Sequence, residues 1–403
     1  MTIRTAKNSA KGRGLGDLNA LGFAKPPAET RVVVAMSGGV DSSVTAALLH
    51  EQGFDVIGIT LQLYDHGVAV QTKGACCAGA DIHDARSVAA RIGIPHYVLD
   101  YENRFHEQVM QDFADSYLRG ETPIPCVRCN QTVKFTDLLR TAHDLEADCL
   151  ATGHYVQRAV DEDGPLLLRG VDPTKDQSYF LFATTSEQLN YLRFPLGGLD
   201  KDTTRALARK FGLPVAEKPD SQDICFVPNG RYGDVVRRLR PGAVDSGDIV
   251  HIDGGVLGRH DGVIDYTIGQ RRGLGIGGRM GVDEADGPLY VLEIDADANR
   301  VIVGPRDALA CQEVHLSDVN WINVVPDDGA TILARLRNTA LAMPAKVFWE
   351  QMGSGSLVLQ LDEPQFGIAT GQAAAFYELT NPNHLLGGGW ISRAPLMANK
   401  KSQ

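Results

Sequence analysis

Residues 35–43 read AMSGGVDSS. They follow an apolar run, RVVV (31–34), and precede VTAALLHEQG (44–53), whose apolar spacing predicts a helix. A loop of small residues between a strand and a helix lets backbone N–H groups turn inward and approach an anion closely. The helix adds the positive end of its dipole. Phosphate is therefore the natural guest. No Gly-Lys-Ser/Thr follows at the spacing of a Walker loop, so the cradle lacks the lysine used for γ-phosphate transfer. Asp41 sits in the loop as a carboxylate able to act through a bound Mg²⁺, which neutralises phosphate charge.

Outward from this loop, residues 31–215 alternate strand-like and helix-like segments. DVIGITLQLY (55–64), HYVLDY (96–101) and CLATGHYVQ (149–157) read as strands. DIHDARSVAARIG, NRFHEQVMQDFADSYLRG and KFTDLLRTAHDLEA read as helices. Such alternation predicts an α/β domain with a doubly wound parallel sheet, whose ligands bind at the carboxyl ends of the strands. The opening loop is at one such end. After about residue 215 the pattern changes. Residues 216–287 are glycine-rich with short strand-like pieces, and predict a small central β-rich domain. Residues 288–395 continue as short strands, beginning with the hairpin PLYVLEIDADANRVIVG, and predict a C-terminal β-barrel. Residues 1–30 are expected to be a flexible arm and 396–403 a tail.

The 403 residues carry a formal net charge of −11. Charge distribution matters more than the sum for nucleic-acid binding. Residues 225–282 hold eight Arg and six Asp, so this stretch is net positive in an acidic chain. Its arginines cluster as RRLR (237–240) and QRRG (270–273). No apolar run approaches ~18 residues, so no membrane span is expected. The arm lacks an apolar core of the secretory type. Seven cysteines, an odd number in a large chain, fit a reducing cytoplasm better than a disulfide scaffold.

Cys126 and Cys129 lie in TPIPCVRCNQTVKF (122–135), and Cys225 in KPDSQDICFVPNGRY (218–232). Three readings of these cysteines stand. The first is sulfur chemistry: a thiolate is a strong nucleophile once cations or a helix N-terminus lower its pKa, and Arg128 and Lys134 are near in sequence. One cysteine would carry a persulfide and a second would resolve it. The second is a metal site, an iron–sulfur cluster with one open iron or an incomplete zinc site. The third is a set of small buried hydrophobes, which is the reading for Cys149, Cys311, Cys76 and Cys77.

The loop SGGVDSS resembles the pyrophosphate loop of the ATP-pyrophosphatase (PP-loop) superfamily, whose fold is adenine nucleotide alpha hydrolase-like. With PCVRCNQTVKF, ATGHY, KDQSYFL, DSQDICF, YTIGQRRGLGI and GQAAAFY in one order, the chain resembles the tRNA-specific 2-thiouridylases (MnmA/TrmU) from about residue 31 to 395. The resemblance implies a tRNA-uridine 2-sulfurtransferase. ATP adenylates the C2 carbonyl of the wobble uridine (position 34) in tRNAs for Lys, Glu and Gln. Sulfur from a cysteine persulfide then replaces AMP and gives 2-thiouridine.

The resemblance assigns roles residue by residue. Ala35, Met36, Ser37, Gly38, Gly39, Val40, Asp41, Ser42 and Ser43 would hold ATP with Mg²⁺, and Leu61 and Gly153 would contact the adenosine. Cys129 matches the nucleophile and Cys225 the persulfide carrier, and the two can pair when oxidised. His154, Lys175, Asp176, Gln177, Arg337, Asn338 and Gln372 match tRNA-contacting positions. Arg271 and Arg272 are expected to track the RNA backbone, and Tyr155, Tyr179 and Phe180 are weighed as base-stacking surfaces against core, with core preferred. The partners implied are tRNA and a persulfide donor such as a cysteine desulfurase or sulfur-relay protein. One position departs from the pattern: some relatives carry Asp three residues before the nucleophile, and here it is Cys126. A thiol's reference pKa is ~8.5 against ~3.9 for Asp. Cys126 is therefore either an acid/base group or a cluster ligand with Cys129 and Cys225. The persulfide relay is preferred. Rival classes are a small-molecule ATP-pyrophosphatase ligase and a non-catalytic tRNA-binding module.

Overall fold

The computed structural model describes residues 18–64, 77–220, 224–227, 230–276, 287–350 and 355–396. Its N-terminal part is built on a five-stranded parallel sheet in the order β3-β2-β1-β4-β7. The strands are β1 (Arg31–Ala35), β2 (Asp55–Gln62), β3 (His96–Asp100), β4 (Cys149–Ala151) and β7 (Leu192–Arg193). β1 is central because every residue from Val32 to Val34 is apolar and fully buried. Val32 and Val34 enter one core with α1 (Val40–Glu51) and α2 (Cys77–Ile92). Val33, on the opposite face, enters another with Ile57, Ile59 and Leu150. Each fully buried aliphatic side chain is worth about 1.5–3 kcal/mol, so two covered faces stabilise β1 strongly. The expected doubly wound arrangement is present.

Residues 125–144 cover the second face, and residues 102–118 pack into a third core shared with the central domain. α3 spans 102–118, with a π-helical section at His106–Met110. α4 spans 125–144, opens with Pro125 in its first turn and is π-helical over Cys129–Leu138. π-helical insertions in α-helices are frequent at functional sites. α5 (Ser186–Tyr191) starts with a capping box between Thr185 and Gln188, and α6 (Lys201–Lys210) is capped by Asp200.

The central domain holds α7 (Tyr232–Leu239) and a four-stranded sheet in the order β10-β11-β8-β9. β8 is Gly247–His251, β9 Val256–His260, β10 Leu289–Asp295 and β11 Arg300–Pro305. The hairpin expected to open the barrel therefore lies in the central sheet. β11 pairs in parallel with β8, and Val291, Val301 and Val303 share a core with Ile249. Its turn at residues 296–299 is where the sequence put it.

Six strands close the C-terminal barrel: β12 (Ala310–Trp321), β15 (Leu357–Phe366), β14 (Met343–Trp349), β13 (Thr331–Arg335), β16 (Ala373–Tyr377) and β17 (His384–Arg393), with β17 pairing back onto β12. Closure removes the sheet edges. The hairpin β5 (Val156–Asp161) and β6 (Gly164–Arg169), which leaves the N-terminal domain after β4, adds to β17. It ties the barrel to the parallel sheet. Ala373, Tyr377 and Trp390 of the barrel enter the same core as Val33 and Phe135.

Candidate active site

The order of the parallel sheet reverses between β1 and β4, because β2 lies on one side of β1 and β4 on the other. Ligands of open α/β sheets bind at such a switch point. The loop after β1 and the loop after β4 meet there. A Cβ on Gly153 would lie 2.9 Å from the Asp41 carbonyl carbon and the Ser42 amide, so only glycine allows this approach. Gly38 has φ +76°, and a Cβ there would lie 2.1 Å from the Asp81 carbonyl oxygen.

The loop is held in shape by its own serines. Ser42 Oγ accepts from the Ser37 amide at 3.1 Å, and Ser43 Oγ donates to the Gly39 carbonyl at 2.7 Å. Met36 is fixed against β2: its amide donates to the Ile59 carbonyl, and its carbonyl accepts from Thr60 Oγ1 at 2.8 Å. Leu61, near the end of β2, packs half-buried between two cores. Gly39 caps α1 in an extended conformation, so the first amides of α1 face the loop.

Charges around this loop form a network that the sequence analysis missed. Lys201 donates to both Asp41 oxygens, at 2.7 and 2.9 Å, and pairs with Asp220 at 2.9 Å. Asp220 also pairs with Lys175 and Arg205, each at 2.8 Å. Burial opposes ionisation of Asp220, yet hydrogen bonds and charge from Lys175 and Lys201 outweigh it and hold the carboxyl at about 2. Lys218 donates to the Gly38 carbonyl at 3.0 Å and pairs with Asp81 and Asp84. Residues 218–220 precede Cys225 by a few positions. The segment that carries this cysteine is thus tied directly to the anion loop. The partners come from four distant stretches, so nothing local in the sequence marks them.

Across the sheet, Cys129 is buried at 7% exposure while Cys126, one turn earlier, is exposed. Burial pushes the Cys129 thiol up, and the charge of Lys134 opposes that. Lys134 is five residues after Cys129, the i to i+5 spacing of the π-helical section. Its Nζ also donates to Asn130 Oδ1 at 3.0 Å. Arg128, near in sequence, turns away: it stacks on Trp390 at 4.4 Å and pairs with Asp112 at 3.5 Å. The Cys225 thiol is pushed up, first by the protein packed around it and then by the thiols of Cys129 and Cys126. Cys225 nevertheless keeps exposed surface. All three cysteines are thiols in this structure. Cys149 and Cys311 are buried, and the Cys311 thiol donates to the Glu313 carbonyl. Cys76 lies outside the described residues, as does the side chain of Cys77.

His154 packs edge-on against Phe135 and Phe194, with Nδ1 2.9 Å from Thr152 Oγ1. Burial, helped by the charge of Lys134, lowers its pKa to about 3, so the ring is neutral at pH 7. The Asp176 carboxylate accepts from the Gly170 and Ser178 amides and pairs with Arg335 at 3.3 Å. Gln177 Oε1 accepts from the Tyr155 amide. Gln372 donates to the Thr122 carbonyl at 2.7 Å and joins the barrel to the stretch before Cys126. Arg337 donates to the Gly367 carbonyl at 2.7 Å, and the Asn338 carbonyl accepts from Arg335. A Cβ on Gly269 would lie 3.6 Å from Gly367 Cα, so Arg337 sits at the junction that leads to the exposed Arg271 and Arg272.

Tyr155 and Tyr179 are core, the reading preferred for them over a stacking role: they are 2% and 1% exposed, and their hydroxyls donate to Asp41 Oδ1 and to the Ala373 carbonyl. Phe180 packs partly buried against the core that holds Tyr179. The iron–sulfur alternative, ranked below the relay from the sequence, is not favoured. Among the described residues no three His, Cys, Asp or Glu side chains come together to hold a metal. No helix among the described residues is long and apolar enough to cross a membrane.

Comparison with known proteins agrees with this division of the chain. Family models match in succession: a tRNA methyl transferase HUP domain at residues 30–229, a tRNA methyl transferase PRC-barrel domain at 235–305 and an aminomethyltransferase beta-barrel domain at 311–391. The tRNA-specific 2-thiouridylase MnmA of Rhodospirillum centenum is 63% identical over 378 residues, 94% of this chain and 95% of that protein. MnmA of Hyphomonas neptunium is 58% identical over 406 residues, 100% of this chain and 99% of its own. Identity at this level over nearly the whole length places the chain in the tRNA-specific 2-thiouridylase family.

Proposed function

We propose that this chain is a tRNA 2-thiouridylase that works by a direct persulfide relay. The observation that supports this best is the joining of two sites in one molecule. An anion loop sits at the switch point of the sheet, and a buried thiol beside Lys134 lies within reach of the charge of a second thiol on a segment tied to that loop.

ATP binds with its phosphates against the loop 37–43 and its adenosine by Leu61 and Gly153. Asp41, here engaged by Lys201 and Tyr155, is the carboxylate beside the anion cradle that would hold Mg²⁺ with the nucleotide. That ion would supply charge neutralisation for the departing pyrophosphate. The wobble uridine of a tRNA for Lys, Glu or Gln leaves its stack and presents its C2 carbonyl. The carbonyl oxygen attacks the α-phosphate and pyrophosphate leaves. This converts a hopeless leaving group into AMP. The terminal sulfur of the Cys225 persulfide attacks C2 and AMP leaves. Cys129 thiolate, favoured by Lys134, attacks the Cys225 sulfur, frees 2-thiouridine and leaves a Cys129–Cys225 disulfide. The exposed Arg271 and Arg272 track RNA phosphates. Lys175, Arg337, Asp176, Gln177 and Gln372 act by shaping the surfaces beside them, since their side chains are engaged in internal hydrogen bonds. A cysteine desulfurase or relay protein in the cytoplasm loads Cys225.

The test is 2-thiouridine formation by metal-stripped protein under anaerobic conditions, with ATP, Mg²⁺, unmodified tRNA for Glu and a persulfide donor. Full activity without iron is expected, with loss in Cys129→Ala and Cys225→Ala. Activity only after iron–sulfur reconstitution would overturn the relay. Pyrophosphate release independent of RNA would point to a small-molecule ligase instead.

A further inference from the structure

The two-cysteine relay leaves one thiol without a task. Cys126 opens α4 one turn before Cys129, and the backbone between them is helical, with the Cys129 amide donating to the Cys126 and Pro125 carbonyls. Residues three apart on a helix have Cα atoms about 5 Å apart, inside the range of about 4.4–6.8 Å for a disulfide, while their Cβ atoms, about 5–6 Å apart, must close by roughly 1 Å to reach the ~3.5–4.5 Å that the bond needs. A small adjustment within the first turn of α4 therefore lets Cys126 and Cys129 pair. The pair is asymmetric: the first thiol is exposed and the second buried. Phe226 and Val227, next to the exposed Cys225, enter the core that holds Cys129, and the Cys129 and Cys126 thiols act electrostatically on Cys225. Its carbonyl accepts from Tyr64 Oη at 2.8 Å, which fixes this short segment from the β2 side.

We propose that Cys126 is an exchanging thiol that takes Cys129 over from the Cys129–Cys225 disulfide and returns Cys225 ready for reloading. The proposal rests on the relay above. Cys126 thiolate attacks Sγ of Cys129. The Cys129–Cys225 bond breaks, Cys225 leaves as thiolate and takes a proton, and a Cys126–Cys129 disulfide forms. The proton lost by Cys126 balances the one gained by Cys225, and no net oxidation occurs. An external dithiol then reduces the Cys126–Cys129 bond by attack at the exposed Cys126 sulfur, itself becoming a disulfide. Exchange rates depend on which sulfur is accessible and on proximity of the attacking thiol. An exposed thiol one turn from the buried one satisfies both. The benefit is that Cys225 can be recharged while the oxidising equivalents sit on α4.

The test needs neither tRNA nor ATP, so it separates this proposal from the functional reading. The full chain, reduced and then oxidised with one equivalent of diamide, is alkylated with iodoacetamide and digested with trypsin without reduction. Cleavage after Arg128 leaves the Cys126 and Cys129 peptides joined only by a disulfide. Tens of per cent of the wild-type molecules are expected to carry that link, with Cys225 alkylated. Cys126→Ser should hold Cys129–Cys225 instead, and dithiothreitol should reduce it at least about tenfold more slowly than the wild type. Cys225→Ser should form the Cys126–Cys129 link in full. The proposal falls if fewer than about a tenth of wild-type molecules carry the Cys126–Cys129 link. It also falls if Cys126→Ser is reduced at the wild-type rate. Should that variant fail to fold, the wild-type and Cys225→Ser maps decide alone.

Discussion

Gly38→Ala tests the anion loop most directly. Gly38 has φ +76°, a conformation that costs a residue with a Cβ about 1–2 kcal/mol. The added Cβ would also stand 2.1 Å from the Asp81 carbonyl oxygen, where ordinary contact begins near 3.4 Å. The loop or the start of α2 must therefore retreat by about 1.3 Å. Overpacking of this kind costs roughly 1–3 kcal/mol, giving about 2–5 kcal/mol in all. The retreat acts on the atoms that cradle phosphate, and a misplacement of about 1 Å in a reacting group can cost on the order of 100-fold in rate. Gly39→Ala is the matched comparison, because its Cβ would meet only Ser37 Oγ at 3.4 Å and its φ of −88° suits any residue. The assay is tRNA-dependent AMP release with nucleotide affinity by calorimetry, beside a thermal melt of each variant. Gly38→Ala should lose at least about 100-fold in kcat/KM and melt several degrees lower, while Gly39→Ala stays within about tenfold. Equal damage in both variants, or wild-type behaviour of Gly38→Ala, would refute the reasoning from backbone geometry.

Three further outcomes follow from the charges. Asp220→Asn removes the shared partner of Lys175, Lys201 and Arg205; it should cost roughly 2–4 kcal/mol in denaturant unfolding and speed alkylation of Cys225, and an unchanged midpoint would contradict the network. His154 stays neutral in the fold down to about 3, whereas an unfolded histidine takes its proton near 6.5. Below pH 6.5 the unfolded chain binds more protons, so this group's contribution is present at neutral pH and is lost as pH falls toward 3, by at most about 1.4 kcal/mol per pH unit. His154→Gln should flatten the acid limb of stability against pH, and a limb of unchanged slope would show that the ring is more solvated than its surroundings imply. Arg271→Glu with Arg272→Glu should weaken tRNA binding and reduce the slope of log affinity against log salt by about 0.7–0.9 for each phosphate no longer neutralised; equal affinity at low and high salt would remove these arginines from the RNA path.

The local sequence determined much of this protein. RVVV followed by SGGVDSS specifies a buried strand, a turn of small residues and a helix start, because each of those properties depends on neighbours within one or two turns. The helix KFTDLLRTAHDLEA was legible too, but its extension back to Pro125, which sets Cys126 and Cys129 one turn apart, was not. The doubly wound sheet and the barrel were legible from the alternation and spacing of the strands. Only the tertiary structure decided the rest. That Gly153 abuts Asp41 follows from β4 lying beside β1, a pairing of residues over a hundred positions apart. The hairpin 289–305 looks like any barrel hairpin in sequence, and its sheet was chosen by which core could bury Val291, Val301 and Val303. Arg128 and Lys134 are equal candidates by spacing, yet Trp390 of the barrel draws one away and the π-helical turn brings the other toward the thiol. Tyr155 reads as a core ring, and only the fold shows that its hydroxyl donates to Asp41. Periodicity records which face of an element is apolar. It does not record which distant element will cover that face, and at this site that choice decides which side chains meet.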